Sequence, residues 1–432
     1  MRKFVIASIM MAFAMAFVIT GKASAGEGQV PLGIPPIDHL FVIMMENHAY
    51  GQVAMNPQAP FINKEMHSAN LAANYFALAH PSLTNYLEVA GGSNFNNLSD
   101  QYPDWHNSSC TPNMLSGVTN VDEKQTSFPS VVGLICPIFG KGGTDANIPV
   151  QDMTNNEGTP PLTNINGIVG IRPNHNIVGK TIADQLVSIG KTWKSYQEGL
   201  PILGADGVNV SDGFYNIGGI NLLGRTVSTD FSDLTTTGNP TSSSNIVFLY
   251  AVKHNPFAYF AAVQEGKNPA LSLSRIVPFD GQGGLYADLR SGSVPNLAFI
   301  APNQCNDMHG RGNGTAFCDF DADDNGTQTG LNPTLILEGD LAVERIVTAI
   351  KASSVWTTSR SAIVIVWDEN DYSTITPNQV VLIVDTNYGR HKVQSNRFYN
   401  HYSLTKTLDA AFGLPCLNHA CDNNVNVMSD LF

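Results

Sequence analysis

Leu40-Phe41-Val42-Ile43-Met44-Met45-Glu46-Asn47 and Ala362-Ile363-Val364-Ile365-Val366-Trp367-Asp368-Glu369 share one pattern, an unbroken apolar run that passes directly into two polar residues. Apolar runs of this length without alternation are expected of strands buried on both faces of a parallel sheet. In such a sheet the strand ends of one sense lie along a single edge, where α/β proteins bind ligands. Glu46 and Asn47 are therefore predicted to meet Asp368 and Glu369 from the far end of the chain. Three carboxylates and an amide oxygen are hard oxygen ligands, so their meeting points to a divalent cation. Without one, the carboxylates would repel and raise each other's proton affinity. Either pair alone would be read as turn or cap residues; it is their repetition that carries the argument.

Around these two segments the chain keeps alternating short apolar runs with amphipathic stretches. Further strands are predicted at 74–77, 192–196, 246–250, 297–300 and 380–384, and helices at about 83–90, 181–189, 341–351 and 404–412. In the second helix Ile182, Leu186 and Ile189 share a face and Gly190 ends it. The predicted fold class is α/β, a three-layer α/β/α sandwich on a mostly parallel central sheet. Residues 93–175 and 200–245, rich in Asn, Gly, Ser, Thr and Pro, are expected to form long loop insertions or a small cap over the sheet. There is no internal repeat, and one catalytic domain over 26–432 is the expected organisation.

With 432 residues, 43% apolar and 14% charged, the chain is not disordered, a coiled coil or a small disulfide scaffold. Met1-Arg2-Lys3, the apolar stretch from Phe4 to Thr20 and Ala23-Ser24-Ala25 form a secretory leader over 1–25, which predicts an exported product without stable membrane insertion after cleavage. The formal net charge is −13, and it becomes more negative once Arg2, Lys3 and Lys22 leave with the leader. Such a surface repels nucleic acid and anionic lipid. A phosphate ligand would then need local positive charge, which a bound metal would supply. Six cysteines in an exported chain favour disulfides; fifteen pairings are open. Closeness in sequence suggests Cys110–Cys136, Cys305–Cys318 and Cys416–Cys421, with none at zinc spacing.

Four more segments carry candidate chemistry. In His80-Pro81-Ser82-Leu83-Thr84-Asn85-Tyr86 the serine falls where a helix begins, beside free backbone N–H groups that favour an anionic phosphate. Ser82 is also an ordinary N-cap type, so this motif alone does not establish a nucleophile. Asn303-Gln304-Cys305-Asn306-Asp307-Met308-His309 follows the 297–300 strand and offers Asp307 and His309, while His254-Asn255-Pro256 follows the 246–250 run. His401-Tyr402-Ser403 precedes the last helix, where His401 reads equally as a cap. Separately, Asp321, Asp323 and Asn325 match the first half of a calcium loop. Asn332 stands where such a loop has Glu, so a solvated acidic loop is the default there and a structural calcium the alternative.

Taken in order, Met44-Met45-Glu46-Asn47, His80-Pro81-Ser82 with Asn85-Tyr86-Leu87, Thr192 to Glu198, His254-Asn255-Pro256-Phe257, Pro302-Asn303 to His309, Trp367-Asp368-Glu369 and the ending His401-Tyr402-Ser403-Leu404 with Phe412-Gly413-Leu414-Pro415 resemble the bacterial and fungal phosphoesterase family of acid phosphatases and phosphatidylcholine-type phospholipases C. Each motif is weak alone; the order, from about residue 37 to 416, is what is specific.

The resemblance implies an alkaline-phosphatase-like sandwich with a metal at the carboxyl edge of the sheet. It implies Glu46, Asn47, Ser82, Asp368 and Glu369 as metal ligands, with calcium, magnesium, manganese and zinc all open. It further implies Ser82 as the nucleophile, His254 or His309 as acid for the leaving oxygen, and Asn85 and Asp307 as phosphate-side residues. The phospholipase branch has Arg where this chain has Tyr86, and an Arg-Ser-Phe-Asp-His continuation where it has His48-Ala49-Tyr50-Gly51. Both departures favour a phosphomonoesterase acting on small phosphoesters through a phosphoseryl intermediate. The alternatives are a phospholipase C that takes a lipid headgroup and a secreted, non-enzymatic binding protein on the same fold.

Overall fold

The computed structural model describes residues 27–95, 97, 177–200, 221–222, 225–226, 250–310, 318–322, 326–370 and 378–432. In chain order the strands are β1 (His39–Met45), β2 (Asn70–Ala72), β3 (Tyr75–Phe76), β4 (Trp193–Gln197), β5 (Asn221–Leu222), β6 (Arg225–Thr226), β7 (Ile276–Pro278), β8 (Leu297–Ala301), β9 (Ser361–Trp367), β10 (Leu382–Thr386), β11 (Gln394–Ser395) and β12 (Tyr399–Asn400). Eight of them form one sheet in the order β11-β2-β10-β9-β1-β8-β4-β7. β1 is parallel to both β8 and β9, and β4 to both β7 and β8. β10 runs against both its neighbours, β9 and β2.

Successive residues of a strand face opposite sides, and every residue of β9 and β10, with all but the first of β1, is buried. Both faces of the sheet are therefore covered, which is what the unbroken apolar runs require. The helix Ser82–Gly91 packs against Ile182–Ser188 and His401–Phe412. A second set, Pro60–Ser68, Leu285–Ser291 and Ser354–Thr358, packs against the long helix Pro333–Ala352. The chain is thus an α/β protein on a mixed, mostly parallel sheet. Among the described residues no helix is long and apolar enough to cross a membrane.

Several expectations need correction. The 74–77 segment forms a strand only at Tyr75–Phe76, which leaves the main sheet to pair with β12. The helix expected at 341–351 starts at Pro333, because the Asn332 side chain accepts from the backbone N–H groups of Thr334 and Leu335 and proline preorganises the first turn. Of the 246–250 strand only Tyr250 is described, and it is not in a strand. The leader at 1–25, nearly all of the two insertions and Cys110–Cys136 lie outside the described residues. Cys305–Cys318 and Cys416–Cys421 are bonded. Asp323 and Asn325 also lie outside, while both oxygens of Asp321 are used within the protein, on His48 Nε2 at 2.9 Å and the Asn332 N–H at 2.6 Å.

Candidate active site

The parallel strands deliver their polar ends to one edge. The Asp368 N–H donates to Met45 O at 2.9 Å, and the Glu46 N–H donates to Asp307 O at 2.9 Å, so the ends of β1 and β9 and the loop after β8 are joined through backbone. Asn47 adopts a left-handed backbone with φ 40, a conformation that Asn tolerates better than most residues. Its N–H donates to Asp368 Oδ1 at 3.1 Å.

Ser82 opens the helix Ser82–Gly91, with Pro81 at the cap position and no side-chain cap bond. Its hydroxyl is directed to the strand ends instead: Oγ lies 3.0 Å from Glu46 Oε2, 3.2 Å from Glu369 Oε1 and 3.3 Å from Asn47 Oδ1. The N-cap reading of Ser82 is thereby replaced. One turn on, Asn85 fixes the arrangement by donating from Nδ2 to Glu369 Oε2 at 3.0 Å, while its Oδ1 accepts from the backbone of Leu78 and Ala79. His80 turns away, with Nε2 2.9 Å from Asn370 Oδ1.

His254 ends a single helical turn, Val252–His254, and joins the site through Glu46. Its Nε2 is 3.1 Å from Glu46 Oε1 and its Nδ1 is 3.2 Å from Asp307 Oδ2. Both are contacts between a ring nitrogen and a carboxylate oxygen that fall short of hydrogen-bond alignment. The His309 ring centre is 5.9 Å from that of His254. Glu46, Asn47, Ser82, Asn85, His254, Asp307, His309, Asp368 and Glu369 thus form one connected cluster.

Its electrostatics are those of a cluster short of positive charge. Burial, and then Asp368, hold Glu46 well above the usual carboxylate range. Burial, and then Glu46, do the same to Asp307. Asp368 is pushed up to about 8, chiefly by burial. Burial drives His254 the other way, well below 6.5, with Lys253 and His309 adding to the effect.

Among the described residues no three or more His, Cys, Asp and Glu side chains stand as a ready metal cage. The donor chemistry nevertheless fits: Asp368 Oδ2 is buried without a hydrogen-bond partner, and carboxylates, an amide and a hydroxyl converge where desolvation favours added positive charge.

Four residues take places at the site that were not assigned from the sequence. Lys253 is fully buried beside His309, with Nζ 3.1 Å from Nε2. A lone lysine at the end of the apolar run Ile246 to Val252 was the available signal. Tyr86 stacks on His254, with ring centres 5.3 Å apart and planes at 9°. Glu198 accepts from the Asn303 N–H at 3.0 Å and from Asn306 Nδ2 at 2.9 Å, anchoring the loop that carries Asp307 and His309. His401 is no cap. Its Nε2–H donates to Asp368 O at 2.6 Å while Nδ1 accepts from the Tyr75 hydroxyl at 2.8 Å, which ties the end of β9 to the last helix.

The site is thus a helix-start serine ringed by carboxylates at the carboxyl edge of an α/β sheet, where α/β proteins bind ligands. Comparison with known proteins gives the class a name: the model of the Phosphoesterase family matches residues 53–319, and the chain belongs to that family, whose members are phosphoric ester hydrolases. The chain is similar to a phosphatidylinositol-3-phosphatase of Mycobacterium tuberculosis, 23% identical over 91% of this chain and 83% of the relative. It is also similar to a phosphate-repressible acid phosphatase of Penicillium chrysogenum, 23% identical over 88% of this chain, although it spans only 60% of the fungal protein. Among solved structures it is similar to a protein in the alkaline phosphatase superfamily from Vibrio parahaemolyticus, with a TM-score of 0.40 and 11% identity over 90% of this chain and 69% of that one. A second is the C-terminal periplasmic domain of EptC from Escherichia coli in complex with Zn, with a TM-score of 0.35 and 9% identity over 93% and 88%.

Proposed function

We propose that this chain is an exported, metal-dependent phosphomonoesterase, organised as one catalytic domain over 26–432, that transfers the phosphoryl group of its substrate to Ser82. The observation that carries the reading is the Ser82 hydroxyl, 3.0 Å from Glu46 Oε2 and 3.2 Å from Glu369 Oε1, with no structural cap to make. The names of both relatives, which are phosphatases, support monoesters over the phosphodiester of a lipid headgroup, and the bonded cysteine pairs suit an oxidising compartment.

Glu46, Asn47, Ser82, Asp368 and Glu369 would hold the cation. When bound, it would supply Lewis-acid charge stabilisation and lower the hydroxyl's proton affinity. The chain's own residues do the rest. Glu46 or Glu369 accepts the Ser82 proton as Oγ forms its bond to phosphorus and the ester oxygen leaves. His254, whose Nε2 lies 3.1 Å from Glu46 Oε1, takes that proton up and gives it to the leaving oxygen. The start of the helix at Ser82 presents backbone N–H groups to the transferring oxygens. Water then cleaves the phosphoserine and restores the hydroxyl.

The test is hydrolysis of p-nitrophenyl phosphate against p-nitrophenylphosphorylcholine by wild type and Ser82→Ala, before and after chelation. Monoester turnover that disappears in both the variant and the chelated enzyme is expected. Turnover surviving Ser82→Ala removes the nucleophile. Preference for the phosphorylcholine diester moves the chain to the phospholipase reading, and no turnover of either by folded, metal-loaded protein favours a binding protein.

A further inference from the structure

The chain carries a formal net charge of −13, so the origin of positive charge for a phosphoryl group is a chemical question the fold must answer. Lys253 answers it in three ways. Its side chain is fully buried, which is unusual for lysine and costly without a specific partner. It is adjacent in the chain to His254, the residue lying between Glu46 and Asp307. Its ammonium is held by a histidine whose tautomer the structure fixes. His309 Nδ1 is 2.9 Å from Gly310 O, and a carbonyl can only accept, so Nδ1 carries the proton. Nε2 is then the acceptor, and it faces Lys253 Nζ at 3.1 Å. The His309 N–H also donates to Asp307 Oδ1 at 2.7 Å, which locks the backbone behind the ring.

We propose that Lys253 is the phosphoryl-anchoring cation of this site, and that His309 is its positioning residue. The proposal rests on the phosphoester reading above and deepens it by naming the group that binds the non-bridging oxygens. An ammonium is a compact point charge, suited to a phosphate dianion without the planar fork of arginine. His309, partly exposed where Lys253 is buried, steers the ammonium by its acceptor nitrogen.

The experiment measures inorganic phosphate binding by calorimetry, and KM and kcat for p-nitrophenyl phosphate, on metal-loaded wild type, Lys253→Met, Lys253→Arg and His309→Ala. Removing the charge is expected to weaken phosphate binding by about 10- to 100-fold and to raise KM in step. Lys253→Arg is expected to recover part of the loss, and His309→Ala to raise KM more than it lowers kcat. Unchanged phosphate affinity in folded Lys253→Met overturns the proposal and leaves the lysine as a counter-charge to the carboxylates. Should that variant not fold, unchanged phosphate affinity and KM in His309→Ala overturn it equally. A loss confined to kcat in His309→Ala would make His309 an acid and overturn its positioning role. Wild type that binds phosphate through Lys253 but turns over no ester would refute the phosphoesterase reading while leaving the anchor in place.

Discussion

The ring of Tyr86 lies nearly parallel to the imidazole of His254, with centres 5.3 Å apart and planes at 9°. Tyr86 is one turn along the helix that Ser82 opens, so this stack is a direct mechanical link between the helix of the proposed nucleophile and His254. Phe299 of β8 backs Tyr86 edge-on at 6.0 Å, which leaves the tyrosine little freedom to shift.

Replacing Tyr86 therefore separates ring from hydroxyl. Stacked aromatic pairs contribute about 0.5–1.5 kcal/mol beyond the area they bury. Tyr86→Phe keeps the stack, and its kcat is expected within about threefold of wild type. Tyr86→Leu loses it, and kcat is expected to fall about tenfold, as 1.4 kcal/mol implies. Steady-state kinetics on p-nitrophenyl phosphate decide this; equal kcat for Phe and Leu variants would dismiss the stack as a positioning device.

Gly339 sits inside the long helix Pro333–Ala352, where alanine would ordinarily gain about 1 kcal/mol. Here a Cβ would meet Met308 Cγ at 2.3 Å. Met308 has a left-handed backbone, φ 81, between Asp307 and His309. Overpacking costs about 1–3 kcal/mol, so the clash outweighs the propensity gain. Gly339→Ala is expected to lower the melting temperature and reduce turnover by displacing that loop. A raised melting temperature with full activity would show that the loop yields freely.

How much of this could be read beforehand follows from where each signal sits. Leu40–Asn47 and Ala362–Glu369 were legible because strands buried on both faces leave uniform apolar runs, and a parallel pairing puts their ends side by side. The reversal of β10 was not, since an apolar run reads the same in either direction. The start of the long helix was written in Asn332-Pro333 but lay at the end of a segment read by default as a solvated acidic loop, with a calcium loop as the alternative. The place of His254 between Glu46 and Asp307 depends on three distant segments, and no local pattern encodes it. Lys253 was visible only as an anomaly, a charge at the end of an apolar run.

A cation bound by the carboxylate cluster should be seen as stability. Binding at a hundredfold excess over Kd stabilises the folded state by about 2.7 kcal/mol. Chelation of wild type is expected to lower the melting temperature by several degrees, and Asp368→Asn to shrink that difference. Melting by circular dichroism, with and without a divalent cation, reads this independently of turnover. An identical midpoint in both states of wild type would remove the metal from the proposed function.

Asp409 offers a test of pH dependence away from the reaction. It is fully buried in the last helix, accepts from the Leu417 N–H at 3.3 Å through Oδ2, and leaves Oδ1 without a hydrogen-bond partner. Burial is the main reason its carboxyl is held well above 3.8; Glu27 adds to the rise, and the Leu417 N–H and Lys406 oppose it. The folded state therefore holds this proton more tightly than the unfolded chain, and by linkage stability falls as pH rises through the unfolded value of 3.8 towards the folded one. Below that window both states are protonated and the contribution vanishes. Asp409→Asn, a neutral mimic of the protonated form, is expected to match wild type near pH 3.5 and to be the more stable of the two at neutral pH. Denaturant unfolding of both proteins across this range gives the difference directly. Wild type that gains on Asp409→Asn as pH rises would mean that folding lowers, instead of raises, the proton affinity of Asp409.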